Sequence, residues 1–211
     1  MNPTLLSQAL AVAAVLFTAA AFAWRLRIFN ALPRPIESAP ARGSARAGVA
    51  YALTAGMAPW AKESTRLHWA AYLRGIAFHV GIFLGLGILL AGPWLAAAPE
   101  PLRLMAALVT ALGAVLGVAG FASRLIETNL RALSLPDDYF AVLLVSLFLV
   151  AATAALLSPD YLNAFYIISA VMLVYAPLGK IRHCIYFAYS RIFYGDSVGR
   201  RGILPHNRQA R

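Results

Sequence analysis

The sequence predicts an all-α, polytopic membrane protein with five transmembrane helices, an outer N-terminus and a cytoplasmic C-terminus. Of its 211 residues, 61% are hydrophobic and only 12% are charged, and the mean hydropathy is +0.72. This is more apolar surface than a soluble domain of this length buries. The apolar residues form runs long enough to cross a bilayer, and the cationic residues between the runs fall almost entirely on one side.

One transmembrane domain, residues 1–190, is expected to precede a basic cytoplasmic tail, residues 191–211. The first apolar run is interpreted as an uncleaved span, because no cation precedes it and its arginines follow it. The last run is longer than a bilayer requires, so its helix must tilt or emerge on one side. The predicted spans are residues 5–23, 72–90, 102–122, 140–157 and 161–189.

The connections between the spans differ in character. Residues 25–70 are rich in proline and arginine, and their semi-apolar middle is expected to form a helix on the membrane surface. Residues 92–101 form a short turn-rich connection, and residues 123–138 form a polar one. Within the third span, Gly113, Gly117 and Gly120 form a small-residue stripe that favours close helix packing.

The distribution of charge predicts the orientation. Of the 18 lysines and arginines, 17 lie in the connection between spans one and two (counting Arg74 at its edge), in the connection between spans three and four, or in the C-terminal region. Only Arg103 lies near the connection between spans two and three. By the positive-inside rule these 17 residues are cytoplasmic. The net charge of +10 therefore indicates topology, and no nucleic-acid partner is expected.

A histidine lies inside the second span and is the first candidate for chemistry. An ionisable side chain within a membrane helix costs roughly 2.5–3.5 kcal/mol on insertion scales, so His79 indicates a function. Gly75 lies one helical turn earlier and leaves space for a large flat ligand such as haem. The single cysteine, Cys184, excludes covalent haem attachment, iron–sulfur ligation and zinc clusters, so a cofactor would depend on histidines.

A second histidine, His183, lies near the end of the fifth predicted span. Antiparallel spans would bring His79 and His183 to one level in the cytoplasmic half of the bilayer. Two facing imidazoles can serve as the axial ligands of one haem b, which is the predicted site. The alternative is that each histidine only packs against neighbouring helices. His68 is about 16 Å from His79 along a helix and cannot share the haem, and His206 is expected at the surface.

Charged side chains flank the predicted haem. Arg74, Lys180 and Arg182 are placed to pair with haem propionates, and snorkelling to lipid headgroups is the alternative role. Asp137 and Asp138 follow Pro136 at the start of the fourth span. Their expected role is to cap that helix, and proton transfer to a bound quinone is the alternative.

Three stretches of the sequence resemble a known family. They are GIAFHVGIF in the second span, LSLPDDYF before the fourth and PLGKIRH at the end of the fifth. They resemble the gamma subunit of respiratory nitrate reductase, and more closely the membrane cytochromes b of sulfite-reduction-associated and heterodisulfide-reductase-like complexes. In two-haem members each of two spans carries a second histidine. Those positions correspond here to Leu89 and Phe165, so the resemblance implies one haem b near the cytoplasmic face.

The resemblance also implies a function, as an electron-transfer subunit rather than a stand-alone enzyme. Such a subunit of a bacterial or archaeal cytoplasmic (inner) membrane passes electrons between the quinone pool and a cytoplasmic iron–sulfur subunit. Arg74, His68 and Asp138 are candidates for a quinone site, and the basic segments would contact the partner or anionic lipid. A haem-free membrane scaffold or assembly protein is the alternative. A transporter is disfavoured because neither an internal repeat nor an interrupted helix is evident in the sequence.

Overall fold

The computed structural model describes residues 3–33, 40–61, 63–92 and 98–204, which form helices joined by turns and contain no strand. Short 3₁₀ turns occupy residues 55–57, 59–61, 159–161 and 180–182. The α-helices of these residues are α1 (Pro3–Ala31), α2 (Ala45–Leu53), α3 (Glu63–Leu67), α4 (Trp69–Ala91), α5 (Glu100–Ile126), α6 (Thr128–Leu133), α7 (Pro136–Leu157), α8 (Leu162–Tyr175) and α9 (His183–Arg200).

Helices α1, α4, α5 and α7 are each long and apolar enough to cross a membrane. Their large exposed side chains are mostly apolar, as expected of surfaces that face lipid. A fifth span is formed if α8 and the helical segment after it are counted together. The prediction of an all-helical polytopic membrane protein is therefore confirmed at this level for the described residues.

The fifth span differs from its prediction as one continuous helix over residues 161–189. Helix α8 ends at Tyr175, and the chain bends by 71° between the segments Pro159–Tyr175 and Lys180–Arg200. Pro177 has no N–H to donate to a helical hydrogen bond, and the turn that contains it ends at Gly179. His183 therefore begins a separate helix, and the prediction of one uninterrupted helix over residues 161–189 was wrong.

The chain divides into two compact units. The first comprises residues 1–23 and 73–181 and contains the main apolar core. Phe148, Leu149 and Phe165 are fully buried in this core, and the rings of Phe148 and Phe165 stack with centroids 5.8 Å apart. The Thr18 hydroxyl donates to the Leu173 carbonyl oxygen at 2.6 Å and so joins α1 to α8. Buried polar side chains in this core are thus hydrogen-bonded to backbone.

Glycines allow the helices of the first unit to approach closely. A Cβ atom added to Gly81 of α4 would lie 3.1 Å from the Gly113 Cα of α5. One added to Gly117 would lie 2.3 Å from the Ser146 Oγ and 2.6 Å from the Phe78 ring. The expected packing role is confirmed for Gly113 and Gly117 of the predicted stripe.

The second unit comprises residues 24–72 and 182–211, and its described part centres on the packing of α2 against α9. A Cβ added to Gly48 would lie 2.0 Å from the Gly195 carbonyl oxygen, so the two backbones touch. The Arg42 N–H donates to the Arg200 carbonyl oxygen at 2.7 Å at the end of α9. Residues 191–200 of the predicted tail thus belong to a packed helix, and residues 205–211 lie outside the described part.

Candidate functional site

His79 lies in the middle of α4 with its imidazole on an exposed side of the helix. Its Nδ1 is 2.7 Å from the Gly75 carbonyl oxygen. A carbonyl oxygen can only accept a hydrogen bond, so Nδ1 carries the proton in this contact. In the neutral ring the lone pair is then on Nε2, which is the arrangement found in histidines that ligate metals.

The surface around His79 is apolar. Val80 is 52% exposed and Phe83 is 69% exposed, and both lie on the same broad face of α4 as His79. In a membrane this face meets either lipid or an apolar partner. An imidazole on such a face loses hydration that only a specific ligand or hydrogen-bond partner can replace.

Gly75 lies one turn before His79, as the sequence predicted. Apart from the backbone of α4 itself, no atom of the described residues would lie within 4 Å of a Cβ added to Gly75, and the same is true of Gly87. The glycines of α4 therefore have two different surroundings, since Gly81 and Gly85 contact neighbouring helices and Gly75 does not. The absence of a side chain at position 75 is not explained by helix packing among the described residues.

Arg74 points in another direction. Its guanidinium donates to the Ser123 hydroxyl of α5 at 2.9 Å. Arg74 and His79 are five positions apart in the sequence, which corresponds to about 140° around a helix. The structure brings Arg74 to α5, and a contact between Arg74 and a haem propionate stays a prediction.

His183 is the first residue of α9 and is exposed. It belongs to the second unit, whereas His79 belongs to the first, so their pairing stays a prediction. Arg182 directly precedes His183 and is also exposed. Lys180 forms an ion pair with Asp138, with 3.2 Å between Nζ and Oδ1. Of the predicted propionate partners, Lys180 thus has a carboxylate contact within the chain.

The two aspartates of the LSLPDDYF motif contact the start of α7 and the end of α8. The Asp138 Oδ2 accepts from the Leu135 N–H at 2.9 Å, so its expected capping role is confirmed. The Tyr175 hydroxyl donates to the Asp137 carboxylate. Neither contact involves His68, another of the quinone-site candidates, which is exposed just before α4.

Large apolar side chains fill the positions at which the resemblance places a second pair of histidines. Leu89 is 8% exposed and Phe165 is fully buried, and both belong to the core of the first unit. Among the described residues no group of three or more His, Cys, Asp or Glu side chains could hold a metal ion. That absence does not bear on the predicted haem site, because a haem needs only two histidine ligands from the chain. His206 lies outside the described residues.

Comparisons with models of protein families, with curated proteins and with solved structures found no match. The hydrogen bond from His79 to Gly75 follows a spacing of four residues that was visible in the sequence. The contacts of Tyr175 and Ser123 were not predicted, because they depend on helix packing rather than on a sequence motif.

Proposed function

We propose that this chain is the haem b-binding membrane subunit of a quinone-linked oxidoreductase complex, of the kind that its motifs resemble. The observation that carries the proposal is the hydrogen bond between His79 Nδ1 and the Gly75 carbonyl oxygen on an exposed apolar face of α4. This bond fixes the tautomer and ring orientation that axial ligation by Nε2 requires. The open space at Gly75 allows a flat macrocycle to approach the same face.

The second axial ligand in this proposal is His183. His183 is exposed at the first position of α9, directly after the 3₁₀ turn of residues 180–182. Arg182 is the adjacent cation for a propionate. When bound, haem b supplies reversible one-electron chemistry between a two-electron quinol and single-electron clusters.

The distribution of cationic residues indicates on which side of the membrane the partner subunit of the proposed complex would bind. The cationic connections support a cytoplasmic C-terminal side by the positive-inside rule, and an iron–sulfur subunit would bind there. The proposed quinone site lies in the cytoplasmic half of the membrane, near the single haem. The buried Leu89 and Phe165 support a single haem, because a second macrocycle at their level would displace the core.

Absorbance of the purified full-length protein tests the proposal. We expect one haem per chain and a b-type alpha band after reduction with dithionite. His79→Ala and His183→Ala should each abolish the band, whereas His68→Ala, a matched control at an exposed position just before α4, should keep it. A colourless wild type would instead favour the haem-free scaffold, and one haem per two chains would indicate a ligand from another subunit.

A further inference from the structure

The break between α8 and α9 is bordered on both sides by contacts with the two aspartates of α7. Before the break, the Tyr175 hydroxyl donates to the Asp137 carboxylate. After the break, the Lys180 ammonium lies 3.2 Å from Asp138 Oδ1 and 3.3 Å from Oδ2. Adjacent carboxylates on one helix end thus hold the last residue of α8 and the first residue after the turn.

The turn itself is closely packed. A Cβ added to Gly179 would lie 2.1 Å from a Tyr175 ring carbon, so the chain folds directly over this ring. The N–H groups of Leu178 and Gly179 both donate to the Tyr175 carbonyl oxygen at 2.9 Å. Pro177 is fully buried and removes one donor from the turn. Tyr175 is therefore the centre of the turn through both its ring and its backbone.

The ion pair between Asp138 and Lys180 is partly buried, on the side of the carboxylate. The Asp138 side chain is only 10% exposed, whereas that of Lys180 is 48% exposed. A largely buried carboxylate without its cation retains the desolvation penalty and loses the compensating attraction. The same carboxylate also accepts from the Leu135 N–H, which fixes its position at the start of α7.

From these contacts we infer that Asp137, Asp138, Tyr175 and Lys180 form a clamp that positions His183. Lys180 lies three residues before His183, so a chain fixed at Lys180 restricts where the imidazole can be presented. The clamp residues are positioning residues and not haem ligands. The positioning of His183 rests on the proposed function, in which His183 is a haem ligand. The contacts that define the clamp do not depend on that function, because they lie within the chain.

Amide hydrogen exchange and haem spectroscopy on the full chain test this inference together. Lys180→Met and Asp138→Asn should each raise the exchange rates of the Leu178 and Gly179 amides about tenfold or more, because the turn opens locally. Asp138→Asn keeps an oxygen that can cap α7, which separates the clamp from helix capping. Asp160→Asn is the control, because Asp160 is an exposed carboxylate at the other end of α7 that contacts Ser158.

The haem measurements distinguish positioning from general stability. We expect Lys180→Met and Asp138→Asn to shift the haem midpoint potential and the low-spin electron paramagnetic resonance signal. Lys180→Arg, which keeps the cation, should restore both. Unchanged exchange rates in both variants would overturn the clamp. Faster exchange with unaltered haem properties would overturn the positioning of His183 and leave the proposed function standing. A wild type without haem would overturn the proposed function, and the exchange rates would still decide the clamp.

Discussion

At the residue scale, the surroundings of each glycine in α4 separate structural from functional roles. A Cβ added to Gly81 would lie 3.1 Å from the Gly113 Cα, and one added to Gly85 would lie 2.8 Å from the Phe148 ring, so a neighbouring atom would have to shift in each case. Gly75 and Gly87 can accept a side chain, because their Cβ positions face open space. Glycine lowers helix stability relative to other residues, and of these two open positions only Gly75 lies one helical turn from His79. The proposed reason for a glycine at position 75 is the approach of a haem to His79.

A substitution of Gly75 tests this reason directly. Gly75→Leu should fold as well as the wild type, because the Cβ of the new side chain lies in open space among the described residues, but should lose most of its haem through steric exclusion. Gly87→Leu is the matched control, since it adds the same side chain in open space about 18 Å further along the helix. Haem content per chain and the melting temperature give the result. Equal haem content in both variants would contradict the proposed face of approach.

At the scale of elements, glycine packing stabilises the first unit. Gly117→Val places a side chain against the Ser146 hydroxyl and the Phe78 ring, and overpacking of this kind costs about 1–3 kcal/mol. We expect a lower melting temperature in detergent micelles than for Gly87→Val, which adds the same side chain where there is space. Equal melting temperatures would mean that the helices of this unit separate without penalty.

The second unit depends on its own glycines. Gly195→Val would bring a Cβ within 2.6 Å of the Val49 Cα, and backbone cannot move aside as a side chain can. We expect α9 to separate from α2, so that limited proteolysis cuts within residues 190–204 much faster than in the wild type. Ala188→Val, an exposed position of the same helix, is the control. Equal cleavage rates in the two variants would show that the contact contributes little.

The sequence predicted the long spans but not how the fifth one is interrupted. Hydropathy averaged over a window identifies α1, α4, α5 and α7, because each is apolar throughout. The same average continues through Pro177 and Gly179, so it could not detect the bend. The packing of α9 was missed although Gly195 and Gly199 lie four residues apart. That spacing indicates close helix packing only when the partner helix, here α2, is known.

The candidate site was only partly predictable for a related reason. A histidine in an apolar run stands out, and Gly75 one turn away follows from helical periodicity, so both were found. The direction of Arg74 towards Ser123 depends on how α4 packs on α5, which periodicity alone does not determine. Lys180 was expected to bind propionate, and its ion pair with Asp138 requires the bend that the sequence did not reveal.

At the scale of the whole molecule, the net charge is confined to one of the two units. Residues 24–72 and 182–211 contain 13 of the 18 lysines and arginines and 3 of the 8 acidic residues, a net charge of +10. Residues 1–23 and 73–181 contain 5 of each, a net charge of zero. By the positive-inside rule, the segments of the cationic unit are expected on the cytoplasmic side of the membrane.

The distribution of lysine and arginine among the connections predicts which of them are accessible from outside. In a Cys184→Ser background, Tyr161→Cys should react with a membrane-impermeant maleimide in intact cells, because it follows a connection without lysine or arginine. Leu133→Cys, which is 80% exposed and follows Arg131, should react only after the membrane is permeabilised. The two positions lie on either side of α7, so one span must separate them. The reverse pattern would place the cationic unit outside, where a cytoplasmic iron–sulfur subunit could not reach it.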